Sequence, residues 1–204
     1  MENNKIELTL EQIYDLAKEA LVKNGCNEEN AIAVADTVTK AERDGSISHG
    51  LFRIPGYVAS LKSNKVKGDA KPSNVFVTQN IIRVDGDKGF APLAIKVGIP
   101  ALSEVTKKHG VGVMTIKNTH HFAALWHETE SLAENDLIGI ACTAYKPSVA
   151  PYGAKKPLFG TNPISFAWPR KNNTPVVYDM ATSTMAMGEV QVAARDGHKV
   201  PFGT

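Results

Sequence analysis

Apolar residues recur at helical spacing from the start of the chain. Leu10, Ile13, Tyr14, Ala17 and Leu21 fall on one face, with Thr9 and Gln12 at capping-box spacing ahead of them. Gly25 ends this helix. A second helix opens near Asn27 with Glu28 and Glu29 in its first turn, where the positive end of the helix dipole favours acids. It aligns Ala31, Val34, Val38 and Ala41 in one stripe and stops at Asp44-Gly45. A third helix is expected over residues 48–63, interrupted at Pro55.

Beyond this helical opening the period shortens. Val75-Phe76-Val77 and Ile81-Ile82-Arg83-Val84 predict two short strands around a turn at Gln79-Asn80. A helix over 92–109, a buried strand over 111–116, a helix over 123–135 and an apolar strand over 137–144 then alternate as α/β units do. The last third is dense in Pro and Gly, with short strands at 164–168 and 176–178. The expectation is an α/β protein with an N-terminal helical part over 1–70 and an α/β part over 71–204, in which the Pro- and Gly-dense loops either wrap a ligand or connect strands of a mixed sheet. Residues 199–204 read as a turn with no closing element.

Composition narrows the function. The 204 residues are 43% hydrophobic and 22% charged, which suits a packed globular core. The net charge is only +2, and its basic residues are interleaved with acids, so no stripe tracks a phosphate backbone and nucleic acid is not expected as a partner. The lysines between Lys62 and Lys71 read as a solvated turn. Cys26 and Cys142 stand far apart outside any CxxC spacing, as in a reducing cytoplasm. The opening residues lack a signal-peptide pattern, and no stretch is apolar enough for a membrane span, so no membrane association is expected.

Three segments carry candidate chemistry. In the first, Asp44 to Arg53, a helical reading puts His49 and Arg53 on one face at i and i+4. Arginine grips a carboxylate through paired hydrogen bonds and histidine exchanges a proton near neutral pH, a pairing suited to a carbon beside a carboxylate. The plainer alternative makes Ser48 a helix cap and Arg53 a surface charge. A serine hydrolase is disfavoured, because no G-x-S-x-G elbow surrounds Ser48 and neighbouring Ser and His side chains seldom aim at each other.

In the second segment, Asn118 to Trp126, a strand-to-helix junction offers backbone N–H groups to the phosphates of a cofactor. His120, His121 and His127 lack the i, i+4 spacing of a helical zinc pair, and no metal is expected. The third segment joins Lys155 to Pro163, Asp179 to Ser183 and Met187-Gly188-Glu189, which by composition alone are polar turns. No dinucleotide fingerprint occurs: Gly110-Val111-Gly112 precedes its strand and lacks a third glycine.

Taken together, S-H-G-L-x-R at Ser48 to Arg53, N-x-x-H at Asn118 to His121, G-T-N-P at Gly160 to Pro163 and D-M-A-T-S at Asp179 to Ser183 resemble the malate/L-lactate dehydrogenase type 2 family. The segments His121 to Trp126 and Lys156 to Pro163 look most like its imine-reductase branch, which acts on Δ1-piperideine-2-carboxylate and Δ1-pyrroline-2-carboxylate. The resemblance implies the family's own NAD(P)-binding fold, not a Rossmann fold, with NADPH, or alternatively NADH, as cofactor and a homodimeric assembly. It implies a proton relay of Ser48, His49 and Glu189, and a substrate held by Arg53, Thr161, Met187 and Gly188. It places the cofactor against His121, Phe122, Ala123, Ala124 and Leu125 and against Asp179, Met180 and Ala181.

Imine reductases usually carry aspartate at the position of Glu189 and histidine at that of Met187, so both departures bear on the substrate. The implied reaction is reduction of a cyclic 2-imino carboxylate to L-pipecolate or L-proline. The alternative is a 2-keto acid/2-hydroxy acid dehydrogenase. Family members are longer, so a portion acting only as a binding or assembly module is the reading of another class.

Overall fold

The computed structural model describes residues 6–201. The expected turn at 199–204 therefore lies partly outside the described residues. The chain divides into two compact units. The first comprises residues 1–73, 85–96 and 116–121, and the second residues 74–84, 97–115 and 122–204.

The first unit is helical. Helix α1 (Leu10–Val22) begins with the expected capping box: Gln12 N–H donates to Thr9 Oγ1, and Thr9 N–H donates to Gln12 Oε1. Helix α2 (Glu28–Arg43) is capped by Asn27. The facing stripes bury Ala17, Leu21, Ala31, Val34 and Val38 against Tyr57, Leu61 and Phe90. Truncating a core side chain such as Leu21 to alanine costs about 2–5 kcal/mol. Leu10, placed on the same face by periodicity, stays exposed.

A polar lock in this core escaped the helical pattern. Asn30 is buried on α2, and its amide donates to Asn27 Oδ1 and to the carbonyl of Ala70. The chain comes so close there that a Cβ at Gly68 would sit 2.0 Å from the carbonyl oxygen of Gly25, so the position admits only glycine.

The third helix differs from expectation. Residues 47–53 form two 3₁₀ turns, Ile47–His49 and Leu51–Arg53, and α3 starts at Ile54 and runs to Lys62. Pro55 lies in its first turn, where no intrahelical N–H is needed, so it starts the helix instead of interrupting it.

Strands β1 (Ser73–Thr78), β2 (Ile81–Asp85) and β3 (Val113–Lys117) form one sheet in that order, and α4 (Ala91–His109) carries Pro100 within it. The strand expected to be buried over 111–116 begins two residues later and is half exposed, with Val111 and Val113 open to solvent.

In the second unit, β4 (Gly139–Cys142), β5 (Ile164–Arg170) and β6 (Asn173–Met180) form an antiparallel sheet. Helix α5 (Trp126–Ala133) packs on one face of it. Beneath α5, Ser165 and Ala167 are fully buried, and Ser165 Oγ lies 2.7 Å from Thr129 Oγ1. Helix α6 (Met187–Asp196) rises where only loops were expected and ends at Gly197, whose φ of 70° suits a left-handed cap. Among the described residues, no helix is long and apolar enough to cross a membrane. Both cysteines are free.

Candidate active site

The first unit gathers Ser48, His49, Arg53 and His121. The 3₁₀ turn at Ile47–His49 buries Ser48 and brings its Oγ to 3.0 Å from Nδ1 of His49, and Ser46 Oγ lies 3.2 Å from the same nitrogen. The sequence argument that adjacent Ser and His seldom face each other fails here, because a tight turn, unlike an extended backbone, lets neighbouring side chains converge. A neutral imidazole accepting at Nδ1 from one hydroxyl carries its ring proton on Nε2.

His49 and Arg53 do not share an α-helical face, since they lie on separate 3₁₀ turns. The charge of Arg53 nevertheless acts on the whole cluster. Burial first, and Arg53 second, push His49 down from its ordinary 6.5 to about 4. Burial, Arg53, His49 and His120 push His121 down to about 3. Both imidazoles are therefore neutral at neutral pH.

Three further residues shape this cluster. Tyr57 on α3 is buried and its Oη lies 3.0 Å from Nδ1 of His121. Burial raises the phenol to about 12, against an opposing effect of Arg53. Ser60, one turn on, has its Oγ 3.2 Å from Nε2 of His120. Glu42 accepts a hydrogen bond from Leu51 N–H at 2.7 Å and fixes the link between the two 3₁₀ turns. A Cβ at Gly50 would lie 2.0 Å from that same Glu42 oxygen, so a side chain there would displace the bond. Tyr57 follows Arg53 by four residues, which was the one available hint; nothing in the spacing singled out Glu42.

The second unit gathers the remaining segments. The Asp179 carboxylate accepts hydrogen bonds from the backbone N–H groups of Trp126, at 2.8 Å, and Leu125. It thereby joins the segment Phe122, Ala123, Ala124 and Leu125 to the end of β6, where Met180 and Ala181 follow. Two backbone amides of this strand-to-helix junction, those of Leu125 and Trp126, are thus taken by the chain's own carboxylate. Met180 points away from Asp179, on the opposite sheet face, as strand alternation requires.

Thr161 is buried, and its carbonyl accepts from both the N–H and the hydroxyl of Thr182. Asn162 holds Tyr145 N–H through its side chain at 3.0 Å, with its own φ at 36°. Met187, Gly188 and Glu189 form the first turn of α6, with Gly188 buried and Glu189 exposed.

Glu128 was not singled out by the sequence. It lies in the first turn of α5, buried, and its Oε2 has no hydrogen-bond partner among the described residues. Burial, reinforced by the charge of Asp179, raises its carboxyl to about 8, so it is predominantly protonated at neutral pH. Among the described residues, no group of three or more His, Cys, Asp or Glu side chains is placed to hold a metal ion.

The family described as malate/L-lactate dehydrogenase matches residues 8–204. The chain is 41% identical to a Δ1-pyrroline-2-carboxylate/Δ1-piperideine-2-carboxylate reductase of Pseudomonas aeruginosa, over 97% of this chain and 59% of the relative. It is 40% identical to Δ1-pyrroline-2-carboxylate reductase 1 of Burkholderia ambifaria, over 97% and 58%. Among solved structures, the Δ1-piperideine-2-carboxylate reductase of Pseudomonas syringae matches with a TM-score of 0.90 and 42% identity, over 97% of this chain and 59% of that one. A malate dehydrogenase of Entamoeba histolytica matches with a TM-score of 0.90 and 30% identity, over 96% and 55%. The chain thus spans less than three-fifths of the length of these relatives.

Proposed function

We propose that this chain, which belongs to the malate/L-lactate dehydrogenase family, forms part of an NADPH-dependent reductase of cyclic 2-imino carboxylates. The substrates are Δ1-piperideine-2-carboxylate or Δ1-pyrroline-2-carboxylate, and the products L-pipecolate or L-proline. The observation that carries this reading is the first-unit cluster, in which the charge of Arg53 acts on a neutral His49 backed by Ser48. The reductase names of the relatives support it.

In this proposal Arg53 grips the substrate carboxylate through two parallel hydrogen bonds and so fixes the adjacent C2 carbon. A reduced nicotinamide, when bound, supplies the hydride that C2 receives. The C=N bond becomes a C–N bond as the ring nitrogen takes up a proton, so one hydride and one proton balance the reduction. His49 manages that proton, with Ser48 holding its Nδ1 and Glu189 as the third relay member that the family resemblance supplies.

His121, Phe122, Ala123, Ala124, Leu125, Asp179, Met180 and Ala181 flank the cofactor in this reading. Thr161, Met187 and Gly188 line the substrate. Arg53→Ala, made in this chain joined to the region its relatives possess in addition, tests the placement. The KM for the imino acid is expected to rise at least roughly tenfold, as loss of a charged hydrogen-bonding partner implies. An unchanged KM would remove Arg53 from the substrate site.

A further inference from the structure

The sheet β4-β5-β6 has one covered face and one bare face. Ser165 and Ala167 of β5 lie fully buried beneath α5, which also packs on β4 and β6. Their neighbours along the strand point the other way, and every one of them is large and apolar. The register pairs Ile164 with Met180, Phe166 with Tyr178 and Trp168 with Val176, and sets Ile140 of β4 beside Phe166. Ile140 is 71% exposed, Trp168 54% and Phe166 39%. The Phe166 and Tyr178 rings stack with centroids 5.3 Å apart.

Alternation on a solvated sheet puts polar residues on the outer face, whereas here the outward positions of β5 are large and apolar while small Ser165 and Ala167 lie on the covered face, as in a strand set between layers. Contiguous apolar surface of this kind is uncommon on soluble chains and marks a place where another surface packs. The pattern is therefore that of a central layer with one covering layer in place.

We infer that this face is the seat of the polypeptide region that the full-length relatives possess and this chain does not span. The solved reductase of Pseudomonas syringae shares the fold over 97% of this chain, yet that match covers only 59% of its own length. About two-fifths of the relative is thus additional polypeptide available to cover a sheet that the common fold retains. A second copy of this chain is the competing occupant.

Hydroxyl-radical footprinting reads the exposure of Trp168, Tyr178, Phe166 and Met180 side chains directly. It compares the chain alone with the chain joined to the region of the Pseudomonas syringae reductase that it does not span. The chain alone is expected to be strongly modified at these residues at every protein concentration, and the joined protein several-fold less. A second measurement uses Phe166→Lys combined with Tyr178→Lys: the chain alone should keep its circular dichroism, while the joined protein should lose the protection of Trp168.

Equal modification with and without the added region overturns the inference. So does protection of the chain alone that grows with its concentration, which would make a second copy the occupant. Neither readout depends on catalytic turnover, so the docking surface and the reductase reading stand or fall separately.

Discussion

Asp179, near the end of β6, accepts a hydrogen bond from the backbone N–H of Trp126 at 2.8 Å and so caps the start of α5. Two segments more than fifty residues apart are held by one carboxylate. Asp179→Ala leaves the amides of Leu125 and Trp126 without their acceptor and is expected to cost about 1–2 kcal/mol. Asp179→Asn keeps an acceptor oxygen and should cost less. Urea denaturation of the two variants checks the order, and equal loss in both would show that the charge of Asp179, not its cap, matters.

Glu128 makes stability fall with rising pH. Its folded pKa of about 8 lies above its ordinary 4.5, so its stabilising contribution is complete below 4.5 and is lost as pH rises towards 8. The slope across that window is up to about 1.4 kcal/mol per pH unit. Glu128→Gln mimics the protonated acid and cannot ionise. Denaturation midpoints of variant and parent should therefore diverge in favour of Gln between pH 5 and pH 8; parallel curves would contradict the buried, protonated acid.

His49 and His121 act in the opposite sense. Their folded values of about 4 and about 3 lie below the ordinary 6.5, so the unfolded chain binds protons that the folded chain refuses. Their contribution is intact above pH 6.5 and is lost as pH falls towards 4 and 3. Because Arg53 contributes to both depressions, Arg53→Ala is expected to raise both values towards 6.5. Titration of the imidazole resonances by NMR checks this, and unmoved values would assign the depression to burial alone.

Tyr57→Phe removes the hydroxyl 3.0 Å from Nδ1 of His121 and takes this partner from a half-buried ring nitrogen. The expected loss is about 1 kcal/mol of stability. The ring itself still packs on Phe90, whose centroid lies 5.1 Å away, so the fold should persist in circular dichroism. A stability equal to the parent would show that His121 is satisfied without Tyr57.

The helical hairpin was legible because its signals are local: the Thr9 box, the Asn27 cap and stripes such as Ala31, Val34 and Val38. The strands around Gln79-Asn80 and at 164–168 were legible for the same reason. What escaped depends on contacts distant in sequence. The helix expected from 123 starts at Trp126, where Asp179 supplies the cap from fifty-three residues away. Asn30 is buried because Ala70 offers it a carbonyl.

The same division holds for the candidate site. Motif resemblance pointed to Ser48, His49, Arg53 and Asp179, whereas Glu42, Tyr57 and Glu128 are set by burial and distant partners that no local pattern encodes. The left-handed φ of 53° at His121 is likewise unmarked by any glycine or asparagine at that position.

The most direct test of the proposed reduction follows nicotinamide absorbance with the chain joined to the additional region of its relatives. NADPH is supplied with Δ1-piperideine-2-carboxylate, Δ1-pyrroline-2-carboxylate or oxaloacetate. Turnover of the cyclic imines with a kcat/KM far above that for the keto acid is the predicted result. Turnover of oxaloacetate with none of either imine would contradict it.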